Sequence, residues 1–118
     1  MEEKNKKNKR EIGAFYEERA EEFLKERKVL ILEKNYRTRR AEIDLIGIEG
    51  LTLVFFEVKF RSRTGMGYPL EAVDQRKREK IRSAARQYIA REKKYGMEMR
   101  FDCIGILGEE IEWIRNAF

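Results

Sequence analysis

One run of ten residues, Leu51 to Phe60, limits what this chain can fold into more than any other stretch. It is rich in β-branched and aromatic residues (Thr52, Val54, Phe55, Phe56, Val58) and holds neither Gly nor Pro, so it reads as a strand. Strand side chains alternate between faces. Leu51, Leu53, Phe55, Glu57 and Lys59 share one face, and Thr52, Val54, Phe56, Val58 and Phe60 the other. Both faces are apolar, as expected of a central strand covered on two sides. One of them nevertheless ends in an acid and a base two residues apart. A charge on a buried face is costly unless it is paired or binds a metal, so this end of the strand is where chemistry is to be sought.

The flanking segments supply the rest of a fold. From Glu11 to Lys28, Ile12, Phe15, Tyr16, Ala20, Phe23 and Leu24 recur at helical spacing. Glu17 falls at the edge of that stripe, whereas Glu18, Glu21 and Glu22 fall toward solvent, so Glu17 is the one acid of the helix expected to look inward. Val29 to Tyr36 reads as a first strand, followed by the basic turn Arg37-Thr38-Arg39-Arg40. Glu42 to Ile48 reads as a second, with Asp44 in phase with Ile46 and Ile48. A two-residue loop at Glu49-Gly50 would pair Ile48 with Leu51, Asp44 with Phe55 and Glu42 with Glu57. Asp44 and Glu57 are then diagonal neighbours on one face, with Cβ atoms roughly 7 to 8 Å apart.

Beyond the central strand comes a basic, glycine-bearing loop containing Arg61 and Arg63, then Pro69 and a helix expected over Leu70 to Tyr95, ended by Gly96. Its apolar stripe is Val73, Ile81, Ala84, Ala85, Tyr88 and Ile89. Arg76, Lys77, Arg78, Lys80, Arg82 and Arg86 stand there against one acid, Glu79, which suggests phosphate contact. Met99 to Leu107 and Ile111 to Arg115 read as fourth and fifth strands, with Cys103 packed inside and Trp113 either core or edge. Met1 to Arg10 carries five basic residues and two acids and reads as a flexible basic arm, either solvated or touching phosphate, ahead of one domain over 11–118.

Bulk properties narrow the chemistry. A net charge of +5 and a pI near 9.4 favour an anionic partner, nucleic acid first. The single Cys103 allows no internal disulfide, no stretch is apolar enough to span a membrane, and no secretory signal opens the chain, so a cytoplasmic protein is expected. With no histidine, Ser-His-Asp triads and His-liganded zinc are excluded, leaving carboxylates and lysine. Asp44 and Glu57, with Glu17 available from a helix, form a hard oxygen set suited to Mg²⁺ or Mn²⁺. Lys59 would then act on water or on the transition state. The bland alternative is an exposed Glu57–Lys59 pair of little consequence.

Asp44, with Glu57-Val58-Lys59 thirteen residues on, resembles the core of the PD-(D/E)XK nuclease superfamily. The segments Glu42-Ile43-Asp44-Leu45-Ile46, Leu53 to Lys59, Glu71-Ala72-Val73, Arg78 with Lys80, and Arg100-Phe101-Asp102 resemble, more narrowly, the YraN family of small bacterial predicted endonucleases. The resemblance implies an α/β fold with a restriction-endonuclease-like αβββαβ core and a mixed five-stranded sheet flanked by helices. It also implies kinship with archaeal Holliday-junction resolvases. In that likeness Glu17, Asp44 and Glu57 are the metal-binding acids and Lys59 the catalytic lysine. The reading is therefore a metal-dependent DNA endonuclease, with branched or junction DNA as the structure-selective substrate the resemblance suggests, and with Arg61, Arg63, Arg76, Lys77, Arg78, Lys80 and Arg82 on the nucleic acid. The competing readings are a non-catalytic DNA-binding module that keeps the fold and, more weakly, a protein-interaction adaptor. A homodimer is left open.

Overall fold

The computed structural model describes residues 9–61 and 75–118, with Arg61 described through its backbone only. The arm up to Asn8, the loop with Arg63, Pro69 and the Glu71-Ala72-Val73 segment lie outside the described residues. The elements in order are α1 (Lys9–Glu26), β1 (Leu30–Arg37), β2 (Glu42–Glu49), β3 (Thr52–Arg61), α2 (Gln75–Glu92), β4 (Glu98–Leu107) and β5 (Glu110–Ile114). The five strands form one mixed sheet in the order β1-β2-β3-β4-β5, with β3 central as expected. Only β3 and β4 run parallel, and α2 lies between them in sequence, as a parallel pair needs a long crossover.

The two apolar faces of β3 each acquire a helix. Phe55 and Leu53 pack with Ile81, Ala84, Ala85 and Tyr88 of α2. Phe56, Val54 and Val58 pack with Ala20 and Leu24 of α1 and with Ile104 and Ile106 of β4. Phe55 and Phe56 are each 1% exposed although they are chain neighbours, which only a strand covered on both sides permits. Cys103 is buried as expected, and burial pushes its thiol up to about 12, so it is inert packing. Trp113 is half-buried, with its ring 6.0 Å from Phe56 and its Nε1 donating to Asp102.

Several expectations need correction. Leu51 does not head the central strand; it is 88% exposed at the tip of the β2–β3 turn. The loop is Gly50-Leu51, closed by Glu49 opposite Thr52, because Gly50 takes the positive φ (63°) that a two-residue hairpin demands at its first position. The β2–β3 register therefore pairs Ile48 with Leu53 and Ile46 with Phe55, two residues from the expected one. In α1, Ile12 and Phe15 are exposed rather than core, because the helix meets the sheet only farther along, through Ala20 and Leu24. Conversely Glu21 is turned inward, held by Lys25 Nζ (2.9 Å) and Lys34 Nζ (3.2 Å). α1 already includes Lys9 and Arg10 and stops at Glu26, where Lys28 (φ 68°) caps it and Val29 N–H donates to the Leu24 carbonyl. α2 ends in the same way at Lys93 (φ 54°), three residues before Gly96, which leaves Tyr95 outside the helix and exposed.

Candidate active site

The acids of interest sit where β2 and β3 part. Their ladder stops at Leu45 opposite Phe56. Past that point the Asp44 side chain takes the place of backbone pairing, its Oδ2 accepting the Val58 N–H at 2.7 Å. Side-chain alternation reverses at this position. Ile43 packs on the α2 side and Leu45 on the α1 side, although residues two apart in a regular strand share a face. β1 does the same across Asn35: Lys34 reaches Glu21 of α1, while Tyr36 meets Tyr88 of α2. Asn35 takes φ 53°, a backbone state that asparagine tolerates better than most residues. With its amide nitrogen turned toward them, Asn35 donates to Glu17 Oε1 (3.1 Å) and Glu42 Oε2 (2.8 Å).

Around this kink four carboxylates influence one another. Burial first, and the Glu57 charge second, raise the Asp44 pKa well above its ordinary value, against the hydrogen bond from Val58. Burial and then the Glu42 charge raise Glu17, against hydrogen bonds from Asn35 and Asp44. On β3, Glu57 is almost wholly buried, and its Oε2 meets Lys59 Nζ at 3.3 Å and Lys77 Nζ of α2 at 2.7 Å. Burial and then Lys77 lower the Lys59 pKa. For Lys77, burial opposes the charge, but its bonds to Glu57 and Lys59 outweigh that and raise the pKa.

The proposed catalytic residues thus converge from three elements: Glu17 from α1, Asp44 from β2, and Glu57 with Lys59 from β3. The three acids offer only oxygen donors, the chemistry a hard divalent cation requires, and like-charge repulsion is what such a cation would relieve. Among the described residues, however, no three acids are grouped so as to hold one ion as they are, and Glu57 Oε2 is turned to its two lysines. Lys77 was expected on nucleic acid and instead reaches into the site. Of the other expected phosphate contacts, Arg76 is exposed, Arg78 and Lys80 are half-buried, and Arg82 lies 5.5 Å over the Phe101 ring. The sequence reading missed Asn35 and Glu42 as members of the site. The one available signal was an asparagine inside a run otherwise suited to a strand. It also missed the flanking cleft of about 570 Å³, lined by Lys9, Arg10, Glu17, Asn35, Arg37 and Glu42.

Comparison with known proteins gives a consistent result. A family model described as "Uncharacterised protein family UPF0102" matches residues 16–106. A UPF0102 protein of Fusobacterium nucleatum is 43% identical over 109 residues, covering 92% of each chain. One from Acetivibrio thermocellus is 44% identical over 124 residues, covering 97% of this chain and 95% of that one. One from Nitrosomonas europaea is 45% identical over 113 residues, covering 90% and 92%.

Proposed function

The chain belongs to the UPF0102 (YraN) family, and on that premise we propose that it is a metal-dependent DNA endonuclease acting on phosphodiesters, with branched DNA as the substrate to test first. The observation that carries the reading is the opposite displacement of neighbouring groups. Burial and mutual repulsion push Asp44 and Glu17 up, while Lys59 is pushed down beside them. Titratable groups gathered in one place, with acids shifted up and a base shifted down so that their ranges approach each other, are characteristic of functional sites. Asp44, Glu57 and Glu17 would hold Mg²⁺ or Mn²⁺, which when bound polarises a phosphoryl oxygen and acidifies water. Lys59, with its lowered pKa, would take the proton of the attacking water. Asp44 is fixed by the Val58 N–H, so its free oxygen keeps one orientation toward the site. Lys9, Arg10 and Arg37 rim the adjacent cleft, where a phosphate backbone can lie. Arg76, Arg78 and Lys80 on α2, with Arg61 at the end of β3 and Arg63 two residues on in sequence, would complete the contact.

A non-catalytic DNA-binding module is the second reading, favoured by the lack, among the described residues, of three acids already grouped to hold an ion. One experiment separates the two. Titrating Mn²⁺ into the protein with branched, nicked, linear and single-stranded DNA should produce metal-dependent nicking. Lys59→Met should lose that nicking by on the order of 10² or more while still binding Mn²⁺, since the ammonium acts on the proton rather than on the ion. If no substrate is cut at any Mn²⁺ concentration, the module is the better account.

A further inference from the structure

Glu57 Oε2 is shared by two ammonium groups, Lys77 Nζ at 2.7 Å and Lys59 Nζ at 3.3 Å. A carboxylate oxygen offers about two lone-pair directions, so both are taken. The Glu57 side chain is only 7% exposed. A Mg²⁺ or Mn²⁺ ion on the same oxygen would sit roughly 2.1 Å from it, inside the space that the nearer ammonium fills. An ion on this oxygen therefore requires one lysine to leave.

The two lysines differ in how readily they can go. Lys59 projects from β3 itself, two residues from Glu57, and its side chain is 24% exposed. Lys77 reaches across from α2 on a long stem and is 39% exposed. Its neighbours in sequence are Arg76 and Arg78, on the helix face that the functional reading assigns to phosphate. Withdrawing a half-buried ammonium from its carboxylate without a new partner is costly. A DNA phosphate arriving at α2 supplies that partner.

We propose that Lys77 is an exchangeable counter-ion for Glu57, which blocks divalent-ion binding until a DNA phosphate draws its ammonium away, so that metal and DNA load together. The inference rests on the endonuclease reading for the identity of both ligands. It adds that the site is closed to the ion in the absence of substrate. Reciprocity follows: whatever factor DNA adds to metal affinity, metal adds to DNA affinity. Lys77 is then a positioning residue, acting on the ion through Glu57.

The test is Mn²⁺ binding followed by loss of the free-ion paramagnetic resonance signal, on the unmodified protein and on Lys77→Met, each with and without a short branched DNA. The unmodified protein should bind Mn²⁺ about tenfold or more tightly when DNA is present, within the usual range of coupling between sites. Lys77→Met should bind Mn²⁺ without DNA about as tightly as the unmodified protein does with it, and gain little from DNA. Circular dichroism establishes that the variant is folded, and the coupling measured on the unmodified protein stands independently of it. Equal Mn²⁺ affinity of the unmodified protein with and without DNA would overturn the inference and leave the endonuclease reading intact. Equal affinity of the unmodified protein and the variant without DNA would do the same. Failure of both proteins to bind Mn²⁺ under any condition would overturn the inference together with that reading.

Discussion

Because burial and the Glu57 charge raise the Asp44 pKa, the folded protein keeps a proton that the unfolded chain releases. Between the ordinary aspartate value and the raised one, the native state binds more protons, so stability falls as pH climbs through that window. Above the window the penalty is complete. Asp44→Asn should then stabilise the protein by on the order of 1 kcal/mol near neutral pH while weakening Mn²⁺ binding, an exchange of function for stability. Near the ordinary aspartate range, at about pH 4, both side chains are neutral and the gain should shrink. Thermal melts at the two pH values check this, and equal gains at both would count against it. Asp102 is the opposite kind of buried acid. It is fully buried yet takes the Arg100 guanidinium (2.8 to 3.2 Å), the Trp113 Nε1–H (2.8 Å) and the Asn116 N–H (3.0 Å). Asp102→Ala strands the Trp113 Nε1–H and the Asn116 N–H and leaves Arg100 with Glu49 as its acidic partner (2.6 Å), and should cost about 2 to 4 kcal/mol in urea denaturation. A loss below about 1 kcal/mol would mean that water replaces the carboxylate.

At the scale of elements, α2 has two roles and its residues divide between them. Ile81, Ala84, Ala85 and Tyr88 bury one face against the sheet. Of the cations, Lys77 goes inward to Glu57, and Arg82 lies over Phe101 with Glu79 3.9 Å away. Arg76 and Lys80 are better candidates for phosphate alone. Replacing both with Ala should reduce the slope of log K against log[salt] for DNA binding by roughly 0.9 per contact, without shifting the melting temperature. Arg82→Ala should lower the melting temperature as well, because its stem and guanidinium cover an aromatic ring. An unchanged salt slope in the double variant would show that this face is only solvated. Most of α2 was legible from its apolar spacing. Its end was not: Lys93, which takes the left-handed conformation, is a residue type with no marked preference for it.

At the scale of the whole molecule, β3 ties the two cores together by contributing alternate residues to each, Leu53 and Phe55 to one, Val54, Phe56 and Val58 to the other. Neither core can come apart without exposing the same strand, so the described domain should unfold in one step. The single Trp113 lies beside Phe56 on the α1 side and reports that core, while far-UV circular dichroism reports all helices and strands. Their urea midpoints should coincide. Separated midpoints would mean that the α2 side opens alone. No helix among the described residues is long and apolar enough to cross a membrane.

The sequence by itself determined that β3 is central, because two apolar faces in period two have no other stable home, and it marked Asp44, Glu57 and Lys59 as charges out of place. It also carried the family, through motifs spread over most of the chain. Only the tertiary structure decided how those charges meet. Asn35 and Asp44 lie on different strands, and their shared reversal of alternation follows from a kink that no single-strand pattern records. Glu57 and Lys77 are twenty residues apart on a strand and a helix, and their 2.7 Å contact depends on where α2 docks. Periodicity reports which side of one element is buried. Which groups face each other across elements is set by register, twist and docking, and these are fixed only when the whole core packs.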